Sequence, residues 1–445
     1  MRFLLILYAV TALAQQTFLV KPYLQLGSDP KRDLSILWHT ADADAKFTVQ
    51  TRVVGDSKWS LERPAACRRI AVLQTEPHHV WSAALNGIDE GRDFEYQVLR
   101  DSQPVFQSTA RARKGSRQPQ RFVVFGDCGA NLPEQKQIAV QVANVKPDFV
   151  FITGDIVYSR GRVPEYREKF FPIYNADTAD PNVGAPLLRT TLFAASPGNH
   201  DIAERDFAKY PDTQSYYYYW SQPLNGPLGE PGPNTSKTEG PVEAVGAFRE
   251  AAGSNYPRMA NFSFEYGNTH WTVLDANSYV NWQDPTLLQW LETDLSSSKT
   301  RWRFVGFHQP GFNSSKAHFK EQHMRVLAPV FEKHKVNIVF GGHVHNYQRS
   351  YPMFYDPVTQ KWTLDKKFDG KKEKKPSGVI YIVTGAGGNR LYNPEQHDDP
   401  GSWQEFTHRF VSNVHSFTQV DIDGKRLRLR EIDIHGAEVD AIEIR

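Results

Sequence analysis

Cysteine is scarce in this chain of 445 residues, which contains only Cys67 and Cys128. Two cysteines form at most one disulfide, so a small disulfide-stapled protein is excluded. Aromatic residues make up 13% of the chain, and we expect the packing of these large side chains to supply much of the stability. We interpret Cys128 as a small core residue, in preference to a nucleophile or a disulfide partner of Cys67.

A strong excess of charge of one sign is also missing. The chain has 52 lysines and arginines against 50 aspartates and glutamates, a formal net charge of +2. A field this weak does not hold nucleic acid or an anionic membrane by counterion release, so we predict neither partner. The length and the 40% hydrophobic content exclude a disordered protein and leave room for two domains.

Long hydrophobic runs are absent except near the start of the chain. Arg2 precedes an uncharged run over residues 3–14 that closes on Ala12, Leu13 and Ala14. This order predicts a secretory signal peptide over residues 1–14, too short to span a bilayer, although a buried terminal strand or helix is an alternative. We therefore expect a soluble protein that is secreted to the extracellular space, or to the periplasm if the host is bacterial.

Residues 17–115 alternate short β-prone runs with turn-forming residues. The clearest runs cover residues 20–26, 34–38, 47–50 and 94–98. Closely spaced short strands of this kind predict an antiparallel β-sandwich. The segment has no cluster of histidine, aspartate or cysteine, so we assign it no catalytic role.

A polar, helix-breaking segment over residues 114–119 is the predicted boundary to a second domain, residues 120–445. Strands and helices alternate beyond it, which indicates a partly parallel sheet covered on both faces. Predicted helices cover residues 133–145, 285–295 and 323–333, and a hairpin signal at Asp423–Gly424 predicts antiparallel edge strands near the end. Predicted strands cover residues 121–125, 148–153, 192–195, 270–274, 302–307, 336–340 and 379–383.

Five of these strands run directly into short polar signatures. Because the carboxyl ends of strands in an open α/β sheet meet at one crevice, we expect the five fragments to form a single site. Each fragment alone is a weak signal, since Gly-Asp pairs are common in turns and isolated histidines are usually structural. In order, the fragments are Gly126-Asp127-Cys128-Gly129, Gly154-Asp155-Ile156-Val157-Tyr158, Gly198-Asn199-His200-Asp201, Gly306-Phe307-His308-Gln309 and Gly341-Gly342-His343-Val344-His345.

The side chains delivered by these fragments have the chemistry of metal ligands. They comprise two carboxylates, a phenol, an amide and three imidazoles, with no thiolate among them. Hard oxygen donors combined with imidazoles suit first-row divalent and trivalent ions. Seven donors exceed one tetrahedral site and suit two ions that share a bridging carboxylate.

This signature resembles that of the metallophosphoesterase superfamily, and within it the purple acid phosphatases, over residues 121–413. Tyr158, three residues after Asp155, is its most discriminating part. The resemblance implies an α/β sandwich of two mixed sheets flanked by helices. It also implies a larger, plant-type member, in which residues 17–115 are a fibronectin type III-like domain.

The resemblance further implies which residue binds which ion. A ferric ion takes Asp127, Tyr158 and His345, and Asp155 bridges the two ions. The second, divalent ion is zinc, manganese or iron, and its ligands are Asn199, His308 and His343.

The activity implied is that of an acid phosphatase, which hydrolyses small phosphate monoesters by direct attack of a metal-bound hydroxide. His200 and His318 resemble the imidazoles that bind phosphate and protonate the leaving alcohol, although His318 is alternatively a solvent-facing loop residue. Plant-type members often carry two adjacent histidines where this chain has Ala317-His318, which affects leaving-group protonation and substrate choice.

Two other functions stay open on the sequence. The same metal pair suits a phosphodiesterase or nucleotide hydrolase, since the metals do not set how many esters the phosphorus carries. A non-catalytic surface or adhesion module with a structural metal site is the other. The aromatic run over residues 216–220 is either a rim for an organic leaving group or, as we favour, packing against the β-sandwich.

Overall fold

The computed structural model describes residues 17–29, 34–85 and 87–445. Its amino-terminal region consists of short strands. The predicted signal peptide, residues 1–14, lies outside the described residues. Short strands pair antiparallel in this region, as the alternating pattern predicts. They are β1 (Val20–Gln25), β2 (Ser35–Ala41), β3 (Phe47–Val53), β4 (Arg63–Pro64), β5 (Ala66–Ile70), β6 (His78–Ala84), β7 (Asp93–Arg100) and β8 (Gln103–Arg111).

These strands form two packed layers. One layer is the four-stranded sheet β4-β3-β7-β8, and the other has the order β1-β2-β6-β5. Aromatic rings fill the space between them, where Phe47 of β3 lies 5.6 Å from Trp38 of β2 and 4.9 Å from Trp81 of β6 between ring centroids. A likeness to fibronectin type III stays a prediction, as do the domain limits.

The amino-terminal layer is continuous with the sheet of the α/β region. Strand β1 pairs parallel with β13 (Leu192–Ser196), with Gln25 opposite Phe193. The Leu24 amide also donates to the Leu188 carbonyl at 2.8 Å. This pairing covers a β1 edge that would otherwise present unpaired backbone groups. One ten-stranded sheet therefore crosses the predicted boundary at residues 114–119.

The α/β region contributes parallel strands to the centre of that sheet. Strands β9 (Gln120–Phe125), β10 (Phe149–Thr153) and β13 pair side by side in parallel register. Their residues are almost all buried, because helices cover one face and a second sheet covers the other. A separate small hairpin consists of β11 (Asn175–Asp180) and β12 (Gly184–Pro186).

The second sheet is also mixed and packs face to face on the first. Phe122 of β9 lies 5.0 Å from Trp271 and 5.3 Å from Phe304, both in the second sheet. The sheet order is β14-β15-β16-β17-β21-β18-β22, and β19 pairs with β20 in a hairpin. The bounds are β14 (Phe262–Tyr266), β15 (Thr269–Val273), β16 (Trp302–Gly306), β17 (Ile338–Gly341), β18 (Tyr347–Ser350), β19 (Met353–Asp356), β20 (Lys361–Leu364), β21 (Ile380–Thr384) and β22 (Thr407–Val411).

Helices cover the outer faces of both sheets. The helix predicted over residues 133–145 has those bounds, and the one predicted over 285–295 extends to Ser297. The helix predicted over 323–333 begins with a 3₁₀ segment, His323–Leu327, because Pro329 favours the first turn of a new α-helix. The α-helices are α1 (Pro133–Val145), α2 (Val163–Lys169), α3 (Phe171–Tyr174), α4 (Asn199–Ile202), α5 (Tyr216–Tyr219), α6 (Val242–Ala252), α7 (Pro285–Ser297) and α8 (Ala328–Lys333).

The carboxyl-terminal strands extend the first sheet at its other edge. Strands β23 (Ser416–Asp423) and β24 (Arg426–Asp433) form the predicted hairpin, with Gly424 at φ 54° in the turn. Strand β25 (Glu438–Ile444) completes the edge. No helix within the described part of the chain is long and apolar enough to cross a membrane.

The aromatic run at α5 packs against the amino-terminal layer, as we favoured. The ring of Tyr219 lies 4.5 Å from that of His39, and its hydroxyl is 3.0 Å from Nε2 of His78. The Tyr23 hydroxyl donates to the Tyr219 carbonyl at 2.8 Å. Residues 216–220 are therefore buried and serve in packing.

Cys128 is buried and Cys67 is exposed, and both are free thiols.

Glu431 generates a prediction about stability and pH. Its carboxyl group is buried in β24, where the Thr418 hydroxyl donates to it at 2.7 Å, and burial raises the pKa of Glu431 to about 8, with Asp440 adding to the rise. The unfolded carboxyl titrates near pH 4.3. The folded state therefore binds this proton more tightly than the unfolded state, and the contribution of Glu431 to stability falls as the pH rises from about 4 to 8.

We expect Glu431→Gln to raise the free energy of unfolding at pH 8 by about 1–4 kcal/mol, and to change it little at pH 4, because glutamine keeps the shape without the charge. Denaturant unfolding at both pH values measures this. Exposed Glu230, changed to Gln, is the matched control. An equal effect of Glu431→Gln at both pH values would contradict the assignment of a buried, protonated carboxyl.

Candidate metal centre

The polar signatures lie where the strands of the two sheets end. Asp127 follows β9, Asp155 follows β10 and Asn199 follows β13 in the first sheet, while His308 and His343 follow β16 and β17 in the second. The two sheets pack face to face, so their carboxyl ends meet at a single crevice. The tertiary structure thereby brings together fragments that span more than 200 residues of sequence.

Three residues of the signatures have a left-handed backbone conformation. Asp127, Asp155 and His343 have φ values of 58°, 50° and 66°, which are uncommon for residues with side chains. Glycine is required beside them, because a Cβ atom on Gly198 would lie 2.2 Å from Oδ1 of Asp155. A Cβ on Gly342 would lie 2.7 Å from Oδ2 of Asp127. The glycines of the signatures thus allow the backbone to approach the two carboxylates closely.

One group of donor atoms consists of Asp127, Tyr158 and His345. The Tyr158 hydroxyl is 3.1 Å from Oδ1 of Asp127 and 3.1 Å from Nε2 of His345. The same nitrogen of His345 is 3.4 Å from Oδ1 of Asp127. The three side chains are almost fully buried, so their ligand atoms face one another away from bulk water.

A second group consists of Asp155, Asn199, His308 and His343. Nε2 of His308 is at its centre, 3.2 Å from each of Asp155 Oδ1, Asn199 Oδ1 and His343 Nδ1. The two groups adjoin, because the same His308 nitrogen is 3.9 Å from Oδ1 of Asp127. All seven predicted ligands therefore lie in one crevice, in two neighbouring sets.

Hydrogen bonds on the far side of each imidazole determine which nitrogen faces the crevice. Nδ1 of His308 donates to the Thr153 carbonyl at 2.7 Å, and Nδ1 of His345 donates to the Arg390 carbonyl at 2.7 Å. Nε2 of His343 donates to Oε2 of Glu321 at 2.9 Å. In each ring the other nitrogen points into a donor group and is the one available to a metal ion, as in metal-ligating histidines.

The electrostatics of the crevice favour a bound cation. Burial lowers the pKa of His308, but the carboxylates of Asp155 and Asp127 outweigh it and raise that pKa to about 10. Burial and the same two carboxylates raise the pKa of Tyr158. Buried anions thus draw positive charge to the crevice, and oxygen and imidazole donors surround the position. The donor set fits hard metal ions.

The two candidate catalytic histidines flank the donor set. His200 lies against Tyr158, with ring centroids 4.7 Å apart, and its Nδ1 donates to the Ser159 carbonyl at 2.6 Å. His318 lies against His343, with centroids 3.9 Å apart. Both imidazoles are about one third exposed, so a substrate can reach them. The ring of His318 thus contacts the donor set and is also partly open to solvent.

Two side chains of the site were not identified from the sequence. Glu321 accepts from Nδ1 of His318 at 2.6 Å as well as from His343, and the hydrogen bond from His343 lowers the pKa of Glu321 to about 2. Tyr392 stacks on His345 at 4.0 Å with an interplanar angle of 10°. Neither belongs to a strand-end signature. Only the spacing of three residues between His318 and Glu321 hints at their contact.

Asp201 was part of a signature but received no role, and the structure gives it one. Its carboxyl accepts backbone N–H groups from Gly198 at 2.7 Å, Ile156 at 3.0 Å and Val157 at 3.4 Å. The first amide belongs to the loop of Asn199 and the other two belong to the loop of Asp155. Asp201 therefore holds two ligand-bearing loops together.

Two face-to-face mixed sheets with this donor set at their carboxyl ends define a metallophosphoesterase. A sequence model of the calcineurin-like phosphoesterase family matches residues 120–347. The chain belongs to the calcineurin-like phosphoesterase family.

Two plant proteins named as purple acid phosphatases are similar to this chain in sequence. Purple acid phosphatase 23 of Arabidopsis thaliana is 26% identical over 350 residues, which cover 73% of this chain and 65% of the relative. Purple acid phosphatase 1 of Ipomoea batatas is 26% identical over 347 residues, which cover 74% of this chain and 64% of the relative. The matched region thus spans somewhat less than two thirds of these relatives.

Among solved structures, a purple acid phosphatase from yellow lupin (Lupinus luteus) seeds has the same fold. Its TM-score is 0.66 at 17% identity, over 95% of this chain and 73% of the lupin chain. This likeness concerns the fold, and it covers both the amino-terminal layers and the α/β region.

We expect Asp201→Ala to lower the free energy of unfolding by about 2–5 kcal/mol, because three buried amides lose their acceptor. We also expect it to reduce bound metal, because the two ligand loops lose their connection. Denaturant unfolding and elemental analysis measure these effects. Asp201→Asn, which keeps one carbonyl oxygen, should have a smaller effect. Asp398, 95% exposed, provides the Asp→Ala control, and equal stability of the two alanine variants would refute this role.

Proposed function

We propose that this protein is an exported acid phosphatase that hydrolyses phosphate monoesters at a binuclear metal centre. The observation that carries the proposal is the arrangement of seven donors, six buried and Asn199 half-buried, in two adjoining sets 3.9 Å apart at His308 and Asp127. Two imidazoles that are accessible from solvent flank these sets. Relatives named as purple acid phosphatases support the choice of reaction.

The two donor sets differ in charge in the way that two different ions require. Asp127, Tyr158 and His345 form the set that would hold iron(III), because a phenolate and a carboxylate neutralise a trivalent ion. Asn199, His308 and His343 contribute no anionic ligand and would hold zinc, manganese or iron in the divalent state. Asp155 would bridge the two ions. Its Oδ1 is 3.2 Å from Nε2 of His308 in the second set, and that nitrogen is 3.9 Å from Oδ1 of Asp127 in the first set. When bound, such a pair supplies Lewis acidity and lowers the pKa of a coordinated water.

His200 is placed to bind the phosphoryl group. Its backbone N–H donates to Oδ1 of Asp155 at 2.9 Å, which ties the residue to the proposed bridging ligand. The Ser159 carbonyl occupies Nδ1, so Nε2 is the nitrogen that faces the crevice. When the imidazole is protonated, Nε2 can donate a hydrogen bond to an equatorial phosphoryl oxygen, where negative charge accumulates during transfer.

His318 is placed to protonate the leaving oxygen. The Glu321 carboxylate accepts from its Nδ1 at 2.6 Å, so the other nitrogen is the one available to a substrate. A carboxylate behind an imidazole orients the ring and sets which nitrogen faces a substrate. Ala317 precedes His318, so a single imidazole performs this step where many plant-type members have two.

The proposed phosphatase function predicts that hydrolysis of a phosphate monoester requires Asp155. Asp155→Asn should lower kcat for a chromogenic phosphate monoester by about 10³-fold or more, since a neutral amide cannot supply the bridging charge. Circular dichroism should show an unchanged fold. Asp398→Asn, at an exposed position, is the control and should keep full activity.

Activity measurements on the wild-type protein also distinguish the proposed function from the other two functions. A tenfold preference for a diester over the matched monoester would favour a phosphodiesterase. Full hydrolytic inactivity of the metal-loaded wild type would favour a surface module with a structural metal site. Either result would overturn the proposed monoesterase.

A purple or pink colour of the purified iron-loaded protein is a separate expectation. A tyrosinate bound to iron(III) absorbs in the visible, and Tyr158 is the phenol in the donor set. Tyr158→Phe should bleach the band while elemental analysis still finds iron. Tyr392→Phe, which removes a hydroxyl near the site but outside the donor set, should keep the colour. A colourless wild type with stoichiometric iron would contradict the tyrosinate assignment.

A further inference from the structure

A cavity of about 560 Å³ opens directly beside the candidate metal centre. His318 and Glu321 form its inner wall. Both contact His343, through ring centroids 3.9 Å apart for His318 and a 2.9 Å hydrogen bond for Glu321. A phosphoester whose phosphoryl group lies at the donor set would therefore direct its leaving group into this cavity.

The cavity wall is held in place by side-chain hydrogen bonds. Oδ1 of Asn393 accepts from the Ser315 hydroxyl at 2.6 Å and from the Ala317 amide at 2.9 Å. Oε1 of Gln396 accepts from the Lys316 amide at 2.9 Å. The loop that carries His318 is therefore anchored to a second loop.

Two side chains that line the cavity make no ring, cluster or ion-pair contact with any residue that the structure describes. Phe319 is half-buried, yet across the described ranges it stacks on no other ring and belongs to none of the hydrophobic clusters. Lys320 is exposed and forms no ion pair with any residue that the structure describes. Lys316, on the same loop, differs because it pairs with Glu395 at 3.1 Å.

The charge of Lys320 is therefore available to a ligand. Glu321, the carboxylate in the same wall, is already occupied, because its two oxygens accept from His318 and His343. A free ammonium group and an unpacked aromatic ring sit next to the candidate proton donor in sequence and in space.

We propose that this cavity is the leaving-group site and that Phe319 and Lys320 determine its specificity. The favoured substrates are phosphate monoesters whose leaving group combines a flat apolar frame, which packs on Phe319, with a second negative charge, which Lys320 neutralises. The inference rests on the proposed phosphatase function and adds the class of substrate to it.

A pair of esters that differ only in charge tests the inference. We would measure kcat/KM for 4-carboxyphenyl phosphate and 4-carbamoylphenyl phosphate, and take their ratio. Lys320→Gln should lower that ratio about threefold, as expected for one exposed charge pair, and Lys320→Glu should lower it further. Added salt should reduce the wild-type ratio towards that of Lys320→Gln. Exposed Lys425, changed to Gln at the far hairpin, should leave the ratio unchanged.

The ring is tested separately. Phe319→Ala should raise KM for both aromatic esters and leave KM for glycerol phosphate unchanged, whereas Phe319→Leu should retain part of the effect. Equal ratios for wild type and Lys320→Gln, with both esters hydrolysed, would overturn the inference and leave the phosphatase intact.

Binding measurements keep the inference independent of turnover. The non-hydrolysable 4-carboxyphenylphosphonate and its carbamoyl analogue would be titrated into metal-loaded wild type and Lys320→Gln, and Kd determined by calorimetry. A tighter Kd for the carboxylate that is lost in Lys320→Gln supports the site even if neither ester is hydrolysed. No difference between the two phosphonates in the wild type would refute it.

Discussion

The burial of two carboxylates at the ends of neighbouring strands is the constraint on which the site depends. Asp127 and Asp155 are almost fully buried, 0% and 1% exposed, and ionised groups are costly at such depth unless positive charge or hydrogen bonds compensate them. The protein meets this cost with imidazoles, backbone amides and, in our proposal, two metal ions. The left-handed backbone of both residues and the glycines beside them follow from the same need for close approach.

Hydrogen bonds from surrounding residues orient the side chains of the donor set. Thr153 and Arg390 carbonyls and the Glu321 carboxylate fix the three ligand imidazoles, each from the side away from the crevice. Asp201 does the same for two backbone loops. Because Glu321 also bonds to His318, the proposed proton donor and a proposed ligand share one anchor. A single carboxylate therefore orients both imidazoles.

The amino-terminal strands are part of this framework. The pairing of β1 with β13 continues one sheet from the β-rich region into the strand that ends at the loop of Asn199. Buried aromatic residues, including Tyr219 against His39, reinforce the junction. The amino-terminal region thus has a structural role, because it pairs with the strand that precedes the loop of Asn199.

Sequence alone located the strands that precede the site and identified all seven proposed ligands, because strand periodicity is local and the strand-end signatures are contiguous. Helix 133–145 is one such case. Only the tertiary structure decided that β1 joins the α/β sheet, that Glu321 connects His318 to His343, and that Phe319 and Lys320 face an open cavity. These features depend on contacts between distant or loop residues, where side-chain direction is set by packing and not by periodicity.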